Sequence, residues 1–272
     1  MKPPVAYFGG KATIAAQIAA LLPRHEHYVE PYGGSLAVLL AKPPSRMETV
    51  NDIDQDLMTF WRVLRDRPAD LERACALTPH ARAEHHAAYA PAPDDVERAR
   101  RVWVRLTQGR SGALRPTGWR HYQDPAGPGP SMPGYLRAYV GRMHAAAERI
   151  AAVSLECRPA LEVIEAYGRH RGVLIYADPP YLGSTRAGSR YRHEMTADAD
   201  HAALAAALRS CRAAVVLSGY DSPLYADLYA GWHRHEIRAH TGNGADSKTR
   251  TEVLWSNRPL GAALTLFDEV PA

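Results

Sequence analysis

The residues best equipped for chemistry stand at the end of one apolar run. Val173 to Ala177 continue without polar alternation, as in a strand buried on both faces. They give way at once to Asp178, Pro179, Pro180 and Tyr181. In an open parallel sheet ligands bind beyond the carboxyl ends of the strands, so these four residues fall where a ligand is expected. The two prolines stiffen the turn and remove two backbone donors, leaving carbonyls as acceptors. A carboxylate, a fixed carbonyl and an aromatic ring at one point suit an exocyclic amine on a nucleobase. The Asp178 carboxylate and the Pro179 carbonyl accept from the two amine hydrogens, which favours a pyramidal nitrogen with its lone pair towards an electrophile. Tyr181 offers a stacking face, worth roughly 1–3 kcal/mol per base. Taken alone, Asp-Pro-Pro-Tyr is equally a strand-ending turn, and the remainder of the chain decides between the two.

Three further groups lie near the amino terminus: Tyr7-Phe8-Gly9-Gly10-Lys11, Glu30-Pro31-Tyr32-Gly33-Gly34-Ser35 and Asn51-Asp52-Ile53-Asp54. Gly33 and Gly34 let backbone approach a ligand at the end of a first strand. Asp52, some 20 residues on and at the end of a second strand, is placed to bind ribose hydroxyls. Asp54 reads as the N-cap of a following helix and stays outside the site. A glycine loop with an acid also fits a nicotinamide dehydrogenase, but the loop runs G-G-S-L-A-V without the G-x-G-x-x-G fingerprint. A phosphate loop at Gly9-Gly10-Lys11 fails because Val5 stands at the first glycine position and Ala12 replaces Ser or Thr.

In the same order along the chain these groups resemble the motifs of the Dam-like (D12 class) N6-adenine-specific DNA methyltransferases. Tyr7 to Lys11 resembles their aromatic-x-Gly-Gly-Lys, Glu30 to Gly34 their glycine loop, Asp52-Ile53 their acidic motif, and Asp178 to Tyr181 their Asp-Pro-Pro-Tyr. The resemblance covers roughly residues 5–65 and 155–256, with the cofactor motifs first. It implies a Rossmann-like, S-adenosyl-L-methionine-dependent sheet that transfers a methyl group to the N6 amine of an adenine flipped out of double-stranded DNA. It implies cofactor contacts from Tyr7, Gly9, Gly10, Lys11, Glu30, Tyr32, Gly33, Gly34, Asp52 and Asp178. Asp178, Pro179, Pro180 and Tyr181 would form the catalytic turn. No metal is required, and the histidines at 25, 27, 80, 85, 86, 233 and 235 supply no ligand set.

The elements that must position these groups follow from periodicity. Residues 11–22 repeat apolar positions at helical spacing. A short strand is expected from about His27 to Pro31 and a second in METVNDID, ending in two acids, with helices over SLAVLLAK and from about Gln55 to Arg65. This β-α-β-α opening favours a parallel sheet. Residues 66–107 look helical, 108–134 hold six glycines and five prolines and read as loop or irregular hairpin, and 135–153 are helical again. Strand and helix then alternate to the strands WHRHEIRAH and TEVLWSN. The expected fold is α/β: a catalytic domain of residues 1–61 and 155–258, mostly parallel with one antiparallel strand, a mainly helical target-recognition insertion at 62–154, and a tail at 259–272.

Composition restricts the class. Forty-six per cent hydrophobic residues support a sizeable core in 272 residues. No run approaches a membrane span, and the start lacks a secretory signal. Three well-separated cysteines suit a reducing cytoplasm, of a cell or of a phage's host. Between Glu97 and Ile150 stand ten arginines against three acids, an excess that suits a polyanion. Thr107 to Tyr122 loosely resembles the family's DNA-contacting hairpin and offers Arg110, Arg115 and Arg120 to phosphates or guanine edges. Ser218-Gly219-Tyr220-Asp221 is either a lining of the target-base pocket or a capped turn, and Thr241–Arg250 a polar loop beside the site. The rival readings are N4-cytosine or RNA adenine methylation, and a non-catalytic DNA-binding protein retaining the fold. A monomer suffices for any of them.

Overall fold

A computed structural model describes residues 1–122, 131–181, 195, 197–241 and 248–261. The glycine- and proline-rich stretch at 123–130, most of the loop at 241–250 and most of the tail fall outside the described residues. Seven strands form one sheet in the order β3-β2-β1-β4-β5-β7-β6. They are β1 (His27–Glu30), β2 (Met47–Asn51), β3 (Ser154–Glu156), β4 (Val173–Ala177), β5 (Ala214–Gly219), β6 (His233–Thr241) and β7 (Lys248–Ser256). β1 to β5 pair in parallel, and β7 runs antiparallel to both β5 and β6. The expected mostly parallel sheet with one antiparallel strand near the carboxyl end is therefore present.

Every side chain of β4 is buried, because helices cover both faces of the sheet. Leu174 and Tyr176 point into one apolar cluster and Val173, Ile175 and Ala177 into the other, the period-two alternation of a strand. The second face is covered by α9 (Ala160–Gly168), α10 (Asp198–Arg209) and α11 (Pro223–Leu228). The first carries α1 (Ala15–Leu21), α2 (Ala37–Ala41) and α3 (Gln55–Asp66), together with helices from the central segment. α3 starts as expected, with the Asp54 carboxylate accepting from the backbone N–H groups of Asp56 and Leu57.

The central segment comprises α4 (Pro68–Ala76), α5 (Arg82–Ala87), α6 (Asp95–Gln108), α7 (Met132–Val140) and α8 (Met143–Ile150). Trp103, Val104 and Leu106 of α6 are fully buried in the same apolar cluster as Trp61 and Leu64 of α3. α3 runs through residue 61, and β3 begins at Ser154. After α6 the chain makes a short hairpin: Arg110 N–H donates to the Gly118 carbonyl at 2.8 Å and Arg120 N–H to that of Gln108 at 2.7 Å. Gly112, at its tip with φ 61°, folds back so that its carbonyl accepts from Phe8 N–H at 2.8 Å. A Cβ there would stand 3.2 Å from Ala6 and Tyr7 backbone, so both conformation and space call for glycine.

Candidate active site

Strand order reverses between β1 and β4, whose carboxyl ends lie side by side, with Val29 opposite Ile175. β1 delivers Glu30 to Gly34 and β4 delivers Asp178 and Pro180 to the crevice at this switch point. Pro179 and Tyr181, expected in the catalytic turn, do not line its cavities, Tyr181 being buried against Lys11, Glu252 and Tyr220. The neighbouring end of β2 adds Asp52. A cavity of about 780 Å³, its open mouth included, occupies the crevice. All ten residues expected to meet the cofactor, Tyr7, Gly9, Gly10, Lys11, Glu30, Tyr32, Gly33, Gly34, Asp52 and Asp178, line it, and Pro180 joins them. A second cavity shares Tyr32, Asp52, Ile53 and Pro180 with the first and extends to Pro159, Leu161 and Met195. Its apolar wall includes Ile53 and Leu161, which are 45% and 42% exposed.

The amino-terminal motif is held in a turn by Gly10 N–H on the Tyr7 carbonyl and Ile14 N–H on that of Lys11. The Lys11 ammonium lies 2.6 and 2.7 Å from the two Asp178 oxygens and 3.0 Å from the Gly9 carbonyl. It also stands 4.8 Å above the Tyr181 ring. Lys11 is buried; burial works against its charge, but Asp178 and Glu252 more than offset this and keep its pKa above the ordinary value. Burial raises the Asp178 pKa, opposed by Lys11 and by a hydrogen bond from the Tyr181 hydroxyl at 3.2 Å. The ring of Tyr7 packs on Gly34, where φ is 50° and a Cβ would come within 2.9 Å of it.

Asp52 bridges the loops. One carboxylate oxygen accepts from Gly34 N–H at 3.0 Å and the other from Asp54 N–H at 2.9 Å. Glu30 is 3% exposed and accepts from the Tyr28 hydroxyl at 3.1 Å. Burial pushes its pKa up to about 8, against the Tyr28 bond. The two nearby ammonium groups are engaged elsewhere, Lys11 by Asp178 and Lys42 by Glu48 at 2.6 Å. Glu30 thus faces the cavity as a carboxyl group in need of a cation.

Asp54, expected outside the site, lines the first cavity as well as capping α3, because the cap stands at the end of β2 beside Asp52. Two further contributions escaped sequence reasoning. Gly112, Ala113 and Leu114 of the hairpin wall the first cavity, so the central segment helps to close it. Glu252, from β7, is buried and accepts from the Tyr181 hydroxyl at 2.5 Å and the Ser218 hydroxyl at 2.7 Å. Ser218 faces this network, Tyr220 meets the Tyr181 ring with centroids 4.4 Å apart, and Ser222 caps α11. The segment Ser218–Asp221 therefore serves both as a capped turn's approach and as a wall beside Tyr181. Among the described residues no group of His, Cys, Asp and Glu is arranged to hold a metal, and no helix is long and apolar enough to cross a membrane.

The arginine excess divides. Arg98 and Arg105 pair with Asp56, Arg100 with Glu84 and Glu97, Arg101 with Glu97, and Arg149 with Glu48. Half of the ten arginines thus face acids, several from outside the segment in which charge was counted. Arg120 bonds the Tyr135 hydroxyl and lies over that ring, while Arg110 and Arg115 are exposed on the hairpin.

A sheet parallel through its first five strands thus places an Asp-Pro-Pro-Tyr turn at its switch point, beside a cavity lined by acids and glycines. The chain matches the model of the D12 class N6 adenine-specific DNA methyltransferases over residues 7–98 and 140–242, and it belongs to that family. It is 26% identical to the type II methyltransferase M1.LlaDCHI of Lactococcus lactis subsp. cremoris, over 94% of this chain and 95% of that one. It is 26% identical to the retron Ec67 DNA adenine methylase of Escherichia coli, over 90% of this chain and 88% of the relative. Among solved structures, the rRNA methyltransferase aviRa of Streptomyces viridochromogenes aligns over 92% of this chain and 85% of its own, with TM-score 0.38 and 17% identity. At that distance the fold is read from this chain's own strand order. Family membership makes the chain an adenine-specific DNA methyltransferase and sets aside the cytosine, RNA and non-catalytic readings.

Proposed function

We propose that the chain methylates N6 of an adenine turned out of double-stranded DNA, with Asp178 and the Pro179 carbonyl holding the amine and Tyr181 stacking on the base. The buried, ion-paired carboxylate in the wall of a cavity lined by all three amino-terminal motifs carries this reading. The residues fit S-adenosylmethionine: Glu30 offers a buried carboxylate to an amino group, Asp52 accepts from ribose hydroxyls, and Ile53 with Leu161 suits a flat purine. When bound, that cofactor supplies an electrophilic methyl group on a sulfonium. Asp178 and Pro179 accept from the amine and turn its lone pair out of the ring. The proline pair fixes the carbonyl direction, so little reorganisation is needed at the moment of transfer. Turning the base out costs a few kcal/mol of stacking and pairing, which Tyr181 partly offsets.

Asp178→Ala tests the reading directly. Because the carboxylate acts on the transition state, the variant should lose transfer yet keep binding duplex DNA. Labelled methyl transfer to duplex, single-stranded and RNA substrates, followed by nucleoside mass spectrometry, should place N6-methyladenine in the duplex. Near-normal turnover by folded Asp178→Ala, or label confined to single strands or RNA, would overturn it.

A further inference from the structure

Glu252 is a glutamate in the interior of a sheet. It stands on β7 between β5 and β6, opposite Ile237, and is only 5% exposed. Burying a carboxylate costs several kcal/mol unless it is paired. Its partners are two hydroxyls, those of Tyr181 and Ser218, both on Oε1, and the Lys11 ammonium 3.8 Å away. Two buried carboxylates, Asp178 and Glu252, thus share one ammonium, which in this structure sits on Asp178.

That placement has a chemical consequence. A carboxylate already neutralising an ammonium through both oxygens is a weak acceptor for the hydrogens of a neutral amine. Asp178 needs that ammonium for its own ionisation, but needs it further away during transfer. Lys11 ends a flexible four-carbon stem, and a movement of about 1 Å would bring it from 3.8 Å to hydrogen-bonding distance of Glu252.

We propose that Glu252 is a positioning residue: it draws the Lys11 ammonium off Asp178 as the adenine amine engages, restoring Asp178 as an acceptor. The inference rests on the role of Asp178 given under the proposed function. Glu252 can do this only when ionised. Among the described residues the groups facing it are Lys11 from the amino-terminal turn, Asp178, Tyr181 and Tyr176 from β4 and its turn, and Ser218 from β5. Burial and the Asp178 charge raise the Glu252 pKa, and Lys11 and the two hydroxyls oppose the rise. Transfer should accordingly increase with pH through this buried pair.

Glu252→Gln in the full-length chain is the test. The amide oxygen still accepts from Tyr181 and Ser218 but cannot hold an ammonium as an ion pair. With methyl donor and duplex DNA saturating, kcat should fall about a hundredfold, the cost of a reacting group misplaced on the ångström scale. Affinities for S-adenosylhomocysteine and DNA, by calorimetry and anisotropy, should stay near the parent's. The acid limb of kcat should move to lower pH, which loss of packing alone would not do. Lys11→Met should make the two changes non-additive, with the double variant no worse than Lys11→Met alone. Should Glu252→Gln unfold, Glu252→Asp keeps the charge at shorter reach and should show the same kcat loss with binding retained. Parent-like kcat and pH profile in Glu252→Gln would overturn the inference while leaving Asp178 intact; a functional Asp178→Ala would instead remove the reading beneath it. Loss of cofactor and DNA binding in step with kcat would also overturn it, making Glu252 a packing residue.

Discussion

Single side chains in this molecule are set by what burial does to charge. Glu30 is the sharpest case, because burial at the cavity wall pushes its pKa up to about 8 against the Tyr28 bond and the more distant Lys42 charge. In the unfolded chain the same group ionises near pH 4.3. Between those values the folded chain retains a proton that the unfolded chain has released, so this group's contribution to stability falls as pH rises across the window. Glu30→Gln has no proton to lose. Without cofactor, its melting temperature should therefore gain on the parent's as pH rises from about 5 to 8, with little difference below. Parallel melting curves against pH for the two proteins would mean that Glu30 is ionised throughout. The cavity residues at the amino-terminal turn and at the ends of β1, β2 and β4 were legible in the sequence because glycines and acids follow one another there, whereas those of the hairpin were not. Glu252 was not legible. A glutamate in TEVLWS reads as the polar side of a half-exposed strand, and only the pairing of β7 between two other strands buries it.

At the scale of elements, the strands declared themselves through unbroken apolar runs, since helices cover both sides of the sheet. The hairpin from Gln108 to Arg120 did so only in part. Its glycines announced a turn, but its return to Phe8 and its place in the cavity wall depend on contacts a hundred residues apart. Counting charge along the chain likewise could not see Asp56 or Glu48, which neutralise three of the ten arginines from outside the segment. Beyond the five arginines that face acids, Arg110, Arg115 and Arg120 stand on the hairpin and are the candidates proposed for DNA. Loss of Arg110 or Arg115 to alanine should weaken binding to all duplexes alike and reduce the salt slope by about 0.9 per phosphate contact. If either reads a guanine edge, its loss should instead relax one base position by about 1–3 kcal/mol. Arg120, held by Tyr135, should show the smaller effect on binding and the larger on stability. Binding isotherms at several salt concentrations decide, and unchanged affinity and slope in all three variants would place DNA elsewhere.

The whole molecule behaves as one body more than its motif order suggests. One apolar cluster runs from Ile18 through Trp61 and Trp103 to Ile150 and Leu254, drawing on the sheet and on the central helices alike. Charged ties cross the same boundary: Arg105 to Asp56, Arg149 to Glu48, and Arg142 to the Pro3 carbonyl at 3.0 Å. At 272 residues separate melting of two parts would be unremarkable. With this shared core, calorimetry should nonetheless show a single transition whose calorimetric and van't Hoff enthalpies agree. Two resolved transitions would give the central helices a stability of their own.

The antiparallel strand β7 has a consequence for the making of the protein. Lys11 and Glu252, which meet in the finished crevice, are separated by some 240 residues of chain. At a synthesis rate of about 5–20 residues per second, the lysine is polymerised roughly 12–48 s before its distant partner. A nascent chain that ends between residues 181 and 251 already carries the glycine loop, Asp52 and the Asp-Pro-Pro-Tyr turn, yet lacks the Glu252 carboxylate that completes the buried charge set. On the role proposed for Glu252, ribosome-bound chains of that length should bind cofactor without transferring its methyl group, and transfer should begin only once β7 has been made.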